Sequence, residues 1–359
     1  MTSKNPTNNL VNKGRGAISQ RDSRYSEHQR EQFNDGWHQD SEQVERTQKT
    51  QVSFETPKTL ISHNQSPDVP FEQSINPYRG CEHGCIYCFA RPTHAYLDLS
   101  PGLDFETKLT AKRDAAETLR KQLLSPHYQC KPIALGANTD PYQPIERRYH
   151  ITRDILLVLQ ELNHPCTITT KSALVERDID IIADMAKRSL IHVNLSFTTL
   201  DPILSRQLEP RASSPKRRLQ TITTLRNSDI PVNILLAPVI PVLTDPEMET
   251  ILKAISTSGA QSVDYILLRL PLELVDLFTE WLQKHYPDKE NHVIQQIRQT
   301  RQGKHNDASF EHRGSGQGHF AEMIRQRFRL ARKKYKLAQP LPTLDCELFR
   351  PHPVQIDLF

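Results

Sequence analysis

The stretch NPYRGCEHGCIYCFARPTHAY, residues 76–96, contains three of the six cysteines of the 359-residue chain. Cys81, Cys85 and Cys88 are spaced Cys-x3-Cys-x2-Cys, and Gly84 permits the tight backbone path that three converging thiolates need. Soft thiolate ligands select iron-sulfur clusters or zinc. The spacing therefore predicts a metal centre in this segment.

Around this segment the sequence alternates between short apolar runs and helical stretches. The apolar runs, each a predicted strand, are EQSINPY (72–78), PIALGA (132–137), CTITT (166–170), LIHVNLSFTT (190–199), VNILLAPVI (232–240) and SVDYILLRL (262–270). About six strand-helix units favour a parallel sheet buried on both faces, as a partial (β/α) barrel or a doubly wound sheet. In either fold the reactive side chains gather at the carboxyl ends of the strands.

We expect three regions along the chain. Residues 1–65 are polar, with few aliphatic side chains, and are predicted to be largely disordered, including the KGRGA segment near residue 13, which we interpret as a tail rather than a clamp. Residues 66–285 form the α/β core. Residues 286–359 are predicted to be a helical and extended C-terminal extension.

The composition limits the cellular compartments and the classes of binding partner that we expect. No stretch approaches eighteen apolar residues, and the first thirty residues lack a secretory apolar run, so we expect a cytoplasmic protein without a membrane partner. A net charge of +4, from 46 basic and 42 acidic residues, is too balanced to identify a polyanionic partner. Cys130, Cys166 and Cys346 stand apart in sequence and are interpreted as ordinary buried thiols.

The type of metal centre depends on the number of ligands. His83 could complete a Cys3His zinc site with the cysteines, but it lies two residues from both Cys81 and Cys85, which makes tetrahedral geometry difficult. A 4Fe-4S cluster held by three cysteines instead leaves one iron open to a small molecule. An electron carrier would need a fourth ligand.

The motif resembles that of the radical S-adenosylmethionine (SAM) enzymes, because Tyr87 also precedes the third cysteine. The resemblance implies a 4Fe-4S cluster on Cys81, Cys85 and Cys88, with SAM bound to the open iron through its amino and carboxylate groups. It implies reductive cleavage of SAM to a 5'-deoxyadenosyl radical, and a partial, TIM-like (β/α)6 barrel. Such an enzyme needs a reducing partner such as flavodoxin or ferredoxin.

Polar runs follow the predicted strands, and two of them, TDPYQPIE and TKS, are similar to the spore photoproduct lyase branch of this superfamily. The resemblance implies that Lys171 and Ser196 hold the carboxylate or ribose of SAM and that Asn138–Asp140 lies near its amino end. The predicted cofactor-binding residues are Tyr87, Asn138, Thr139, Asp140, Lys171, Ser196 and Arg211. For each residue, a structural or solvated role is the competing interpretation.

The sequence also departs from the lyases. They carry an extra cysteine at the end of the second strand, where this chain reads ALGANTD, and a tyrosine where it has Phe89. We therefore do not expect the lyase reaction itself, whereas radical generation is retained. The cysteine segment, KGRGA, DGW near residue 35 and GQGHFAEMIRQRF near residue 316 resemble a related branch of uncharacterised radical SAM proteins.

A basic segment near the C-terminus, residues 323–337, carries seven basic side chains. Ile324, Phe328 and Ala331 share one helical face, which predicts a surface helix docked by an apolar stripe. The alternative is contact with phosphates of a nucleic-acid substrate. A zinc-stabilised nucleic-acid-binding protein without catalysis is the corresponding alternative function.

Overall fold

Six parallel strands, in chain order, form the main sheet of the computed structural model, which describes residues 14–26 and 48–351. The strands are β1 (Gln51–Glu55), β2 (Ser62–His63), β3 (Gln73–Ile75), β4 (Tyr78–Arg79), β5 (Lys108–Lys112), β6 (Ile133–Leu135), β7 (Cys166–Thr170), β8 (Ile191–Phe197), β9 (Val232–Val239) and β10 (Ser262–Leu267). The sheet order is β10-β9-β8-β7-β6-β3-β2, with only β2 antiparallel. Within the described residues β3 and β10 do not pair, so the barrel is open.

Helices connect successive parallel strands and cover the sheet. They are α1 (Leu103–Thr107), α2 (Ala115–Leu123), α3 (Glu146–Tyr149), α4 (Ile151–Glu161), α5 (Ile179–Lys187), α6 (Pro202–Leu208), α7 (Pro215–Asn227), α8 (Met248–Thr257), α9 (Leu274–His285), α10 (Glu290–Gln299) and α11 (Gly318–Lys334). Short 3-10 helices span Arg91–Leu97, Ala173–Asp178, Asp245–Glu247 and Pro287–Lys289. This is the predicted α/β fold, a partial (β/α)6 barrel, with the predicted helical C-terminal region.

Local sequence explains where several helices begin and which face they bury. α6 begins after Asp201, whose carboxylate accepts hydrogen bonds from two amides of the first turn, and α7 begins after Ser214 with Pro215 at its first position. On α5, Ile182 and Met185 are fully buried against the sheet. Burial of each such side chain stabilises the fold by about 1.5–3 kcal/mol.

The basic C-terminal helix α11 docks as the sequence predicts. Ala321, Ile324, Phe328 and Ala331 are buried, and the ring of Phe328 lies 4.6 Å from that of Tyr265 on β10. Most of its basic side chains face solvent. The interpretation as a docked surface helix is therefore confirmed, while the predicted region boundaries at 65 and 285 stay predictions.

The expectation of disorder before residue 66 is wrong for the part of that region that the structure describes. Residues 51–55 form β1, which pairs in parallel with β5 in a separate three-stranded sheet of order β1-β5-β4. Leu60 and Ile61 join the core, and Arg15 and Ala17 are buried. These contacts join residues far apart in sequence, so local composition could not predict them. Residues 1–13 and 27–47, which include DGW, lie outside the described residues.

Among residues 14–26 and 48–351, no helix combines the length and the apolar character that crossing a membrane requires.

Candidate cluster and cofactor site

The three motif cysteines lie in residues 80–91, the cluster loop, which follows β3 and β4 at the carboxyl edge of the sheet. Cys81 and Cys85 are buried, and Cys88 is partly buried. The Cys81 amide donates to the Phe105 carbonyl at 2.9 Å, and the Ile86 amide donates to the Leu208 carbonyl at 3.0 Å. Distant backbone groups therefore fix both halves of the loop.

A buried arginine holds the same loop from within. Arg91 is fully buried, and its guanidinium donates to the carbonyls of Cys85 at 2.8 Å and Gly84 at 3.0 Å. Its charge is paired with Glu106 at 2.5 Å, as a buried guanidinium requires. The carbonyl oxygens around the second cysteine are thus oriented by one side chain.

An N-terminal segment, residues 14–26, lies on the cluster loop; we call it the strap. The amides of Gly16 and Ala17 donate to the two carboxylate oxygens of Glu106 at 2.9 and 2.8 Å. A methyl group on Gly16 would lie 1.8 Å from the carbonyl oxygen of Gly84. The interpretation of KGRGA as a tail is therefore wrong for residues 14–17.

The chemistry of the cysteine site fits an iron-sulfur cluster. Burial raises the pKa of Cys85 to about 12, although the positive charges of Lys171 and Arg218 oppose that rise. Burial and the nearby negative charge of Asp140 hold the pKa of Cys81 well above its usual range. Thiolates at these positions therefore need a strongly cationic partner, which the irons of a cluster would provide.

A single-ion zinc site finds no support in the described ranges. No group of three or more His, Cys, Asp or Glu residues there is arranged to hold one metal ion. The Nδ1 atom of His83, which would be the fourth ligand in the zinc alternative, lies 3.3 Å from a carboxylate oxygen of Asp140. His83 is buried and so is not the ordinary loop residue that its sequence position suggests.

Asp140 joins the carboxyl ends of β6 and β7. Its carboxylate accepts hydrogen bonds from the Thr170 hydroxyl at 2.7 Å and the Lys171 amide at 2.9 Å. Burial alone would raise the pKa of Asp140, but His83, Lys171 and the Thr170 hydrogen bond lower it to about 2. Asp140 is therefore ionised beside the cysteines and orients the backbone at Lys171.

Tyr87 and Lys171 lie together beside this loop. The Lys171 Nζ atom is 5.9 Å from the centre of the Tyr87 ring. Burial disfavours the charged amine, but Cys85, Glu209 and Asp140 have the larger combined effect and raise the pKa of Lys171. The arrangement presents a half-buried cation close to the second cysteine.

Glu209 and Arg218 form a buried ion pair behind Tyr87. The Tyr87 hydroxyl donates to Glu209, which also accepts from Thr198 at 2.8 Å. Burial would raise the pKa of Glu209, but Arg218 and Lys171 lower it to about 2. Both residues follow the fourth predicted strand, yet sequence reasoning did not select them because charged residues there are also common on helix surfaces.

The remaining predicted residues are held by contacts with neighbouring elements of the fold. The amides of Asn138 and Thr139 donate to the Asn76 side chain at 2.8 and 3.1 Å, which fixes the turn after β6. The Ser196 hydroxyl donates to a carbonyl of β9 at 3.3 Å. Arg211 lies 3.5 Å from Glu82, on the side of the loop that faces the strap. Tyr87, Asp140 and Lys171 are thus linked to the cysteines more directly than Asn138, Thr139, Ser196 and Arg211.

Two cysteines that stand apart in sequence are neighbours in the structure. The thiols of Cys130 and Cys346 are within hydrogen-bonding reach, and Cys130 Sγ lies 3.6 Å from the Nε2 atom of His164. The interpretation of these two as ordinary buried thiols is therefore wrong: both are only partly buried, and they meet because the C-terminal segment folds back over the amino ends of the strands. Cys166 is fully buried in the core, as predicted.

Comparison with known proteins agrees with this geometry. Residues 75–255 match the family described as the Radical SAM superfamily. An uncharacterized protein of Mycobacterium tuberculosis is 36% identical over 273 residues, covering 75% of this chain and 76% of that protein.

Solved structures of spore photoproduct lyase share the fold. A tyrosine-to-phenylalanine mutant superposes with a TM-score of 0.53 at 14% identity, covering 82% of each chain. A double mutant with bound AdoMet and dinucleoside spore photoproduct gives a TM-score of 0.51 at 14% identity, covering 79% of this chain and 78% of that chain. Family match, sequence relatives and cysteine site agree: this chain belongs to the radical SAM superfamily, whose cofactors are a 4Fe-4S cluster and SAM.

Proposed function

We propose that this protein is an enzyme that binds a 4Fe-4S cluster through Cys81, Cys85 and Cys88 at the carboxyl edge of its barrel. When bound, the cluster would supply one electron that cleaves SAM to methionine and a 5'-deoxyadenosyl radical, which takes a hydrogen atom from the substrate. The electron would come from a reducing partner such as flavodoxin or ferredoxin. The observation that carries the proposal is the convergence of three cysteines beside the charged Lys171.

The chain's own residues would bind and orient SAM. Lys171 is a half-buried cation, so it suits the SAM carboxylate, since charge-assisted hydrogen bonds strengthen where water is scarce. Asp140 fixes the Lys171 backbone, and Glu209 holds Tyr87 as one wall of the pocket. Ser196, Arg211 and the turn at Asn138 and Thr139 would border the cofactor.

The test is anaerobic reconstitution with iron and sulfide, followed by reduction with dithionite in the presence of SAM. We expect the wild type to release 5'-deoxyadenosine and Cys85→Ala to release none, because the second cluster ligand is lost. Cys130→Ala is the matched control, since it removes a thiol at the other end of the strands. A colourless protein that binds zinc and ignores SAM would instead support the zinc-stabilised nucleic-acid-binding alternative.

We further propose that the substrate is a nucleic acid, because pairs of aromatic rings and arginines border the cluster loop. Phe89 is 48% exposed directly after the third cysteine, with the Arg269 guanidinium 5.4 Å from its ring centre. Exposed Tyr96 stacks on Tyr25 at 5.6 Å, and the Arg24 guanidinium lies over both rings. Rings of this kind stack on bases, and arginines contact phosphates.

Binding of a labelled single-stranded oligonucleotide, measured by fluorescence anisotropy at two salt concentrations, tests this substrate class. We expect Phe89→Ala to weaken binding about tenfold, since one base-stacking contact contributes about 1–3 kcal/mol. Leu157→Ala removes a partly exposed apolar side chain on α4 and serves as the control. Equal binding by Phe89→Ala and the wild type would reject this assignment.

A further inference from the structure

We infer that the strap positions the cluster loop and shields it from solvent, and that Glu106 is the positioning residue that joins the two. This inference rests on the cluster proposed above. It assigns a role to residues 14–26, which lie outside the barrel.

Glu106 is the centre of the junction. Its carboxylate is fully buried and binds three donors: the amides of Gly16 and Ala17 from the strap and the guanidinium of Arg91 from the cluster loop. A buried carboxylate is stable only while its partners are in place. Release of the strap would leave Glu106 short of two donors, and Arg91 would lose part of its fixed orientation.

Close backbone packing makes this junction specific. A methyl group on Gly16 would lie 1.8 Å from the Gly84 carbonyl oxygen, and one on Gly84 would lie 2.6 Å from a carboxylate oxygen of Glu106. Gly84 also has a φ of +67°, in the left-handed region that favours glycine. The strap can therefore approach the loop between Cys81 and Cys85 only because both facing residues lack side chains.

The strap continues from the cluster loop to the last helix of the barrel. The Ser19 hydroxyl donates to Glu280 on α9 at 2.6 Å, and Arg21 forms ion pairs with Glu280 at 2.7 Å and Asp276 at 2.8 Å. It also crosses the Arg91–Leu97 helix, where the Ser23 hydroxyl donates to the Ala95 carbonyl at 3.1 Å. The strap thus ties the loop after β3 to the helix after β10, two strands that do not pair in the described residues.

The covered surface is apolar as well as polar. Ala17 is 1% exposed and packs in one apolar group with Cys85, Ile86 and Leu103. Arg15 is anchored by bonds to the carbonyls of Glu106 at 2.9 Å and Gln48 at 2.7 Å. Opening the strap would expose the backbone around the second cysteine to water, so a closed strap would slow the loss of iron.

The decisive variant is Gly16→Ala in the full-length protein, because its methyl group cannot fit while the strap is closed. Gly314→Ala is the matched control, since a methyl group there meets nothing within 4 Å and the residue is not in the left-handed region. Two quantities are measured: hydrogen exchange of the amides of residues 16–25, and the rate at which a chelator removes iron from the anaerobically reconstituted protein.

We expect Gly16→Ala to accelerate strap exchange and iron loss at least about tenfold, since loss of one hydrogen bond to a charged group shifts a local opening equilibrium by about that factor. Gly314→Ala should match the wild type in both. Arg15→Ala, which removes anchoring bonds without adding bulk, should change both quantities in the same direction and guards against misfolding of the first variant.

Iron loss at the wild-type rate from a variant whose strap exchanges freely would overturn the inference, as would unchanged exchange in both variants. If the wild type takes up no cluster, the proposed function fails first. The exchange comparison needs no iron, so it still decides whether the strap is held as described.

Discussion

The two ends of the parallel strands each bring cysteines together, but in opposite electrostatic surroundings. At the carboxyl ends, the positive charges of Lys171 and Arg218 favour the thiolate of Cys85 and partly offset its burial. At the amino ends, burial raises the pKa of Cys130, and the negative charges of Cys346 and Asp345 raise it further. The cations at the carboxyl ends thus oppose the effect of burial on Cys85, whereas the charges at the amino ends add to the effect of burial on Cys130.

This difference teaches that clustering of thiols does not by itself mark a site. Burial disfavours a thiolate at either end, so neighbouring cations can offset part of that cost and neighbouring anions increase it. The carboxyl ends are also where the βα loops meet, and the strap and Lys171 converge there. Position in the fold and nearby cations together separate the candidate site from the second cysteine pair.

The largest effect is expected when one cysteine at each end of the parallel strands is replaced by serine in separate variants. Cys88→Ser should abolish the cluster absorbance and reduce 5'-deoxyadenosine formation more than about a thousandfold, because one of three iron ligands is lost. Cys346→Ser should leave both unchanged. Equal losses in the two variants, measured after identical anaerobic reconstitution, would break the comparison.

The second largest effect is expected on stability, when the buried charge of Glu209 behind Tyr87 is removed. Glu209→Gln should lower the free energy of unfolding by about 3–5 kcal/mol, because it leaves the buried Arg218 without its counter-charge. Glu176→Gln, in a partly exposed pair with Arg217, should cost no more than about 1 kcal/mol. Urea unfolding at pH 7 measures both.

The stability that the Glu209 carboxylate contributes should depend on pH in a defined way. Its pKa falls from 4.5 to about 2 on folding, so its stabilisation is complete above pH 4.5 and is lost as the pH falls towards 2. The difference between the wild type and Glu209→Gln should therefore shrink below pH 4.5. A difference that is constant down to pH 3 would contradict the assignment of an ionised Glu209.

At the amino ends of the strands, acid should reduce the free energy of unfolding at a higher pH than it does at Glu209. Burial lowers the pKa of His164 from 6.5 to about 4, so its contribution is complete above pH 6.5 and is lost as the pH falls through 6.5 to 4. The full effect is about 3 kcal/mol. His164→Gln should reduce the dependence of the free energy of unfolding on pH, measured between pH 4 and 7. An unchanged pH dependence would show that another group is responsible for it.

The smallest expected effect concerns SAM affinity. Lys171→Met should weaken SAM binding by the reconstituted protein about ten- to a hundredfold, since a charge-assisted hydrogen bond contributes about 1.5–3 kcal/mol. Lys131→Met removes a lysine at the amino ends and should leave the dissociation constant unchanged. A similar constant for all three proteins, measured by equilibrium dialysis, would remove Lys171 from the cofactor site.

The sequence was most informative where the structure is locally encoded. CTITT at 166–170 coincides with β7, and the runs at 190–199 and 232–240 contain β8 and β9, because β-branched and other apolar residues are concentrated in these strands. Periodicity also identified the buried stripe of α11. The cysteine spacing identified the superfamily, since the three cysteines lie within one short loop.

The features that could not be predicted from the sequence all depend on contacts between residues that are far apart in the chain. Gly16 and Glu106 are 90 positions apart, and no local pattern indicates that one carboxylate binds both the strap and Arg91. Cys130 and Cys346 meet only because the C-terminal segment returns to the barrel. Polar composition near the N-terminus suggested disorder because the partners that order residues 14–26 lie elsewhere in the chain.

The order of synthesis gives the strap a further consequence. Ser19 leaves the ribosome 261 residues before its partner Glu280. At roughly 5–20 residues per second, that interval is about 13–52 seconds. During this time the cysteine segment is made while the strap cannot yet be fastened to α9. The strap is therefore made well before α9, one of the helices that hold it, which leaves an interval in which iron and sulfide could be delivered to a loop that is not yet fully covered.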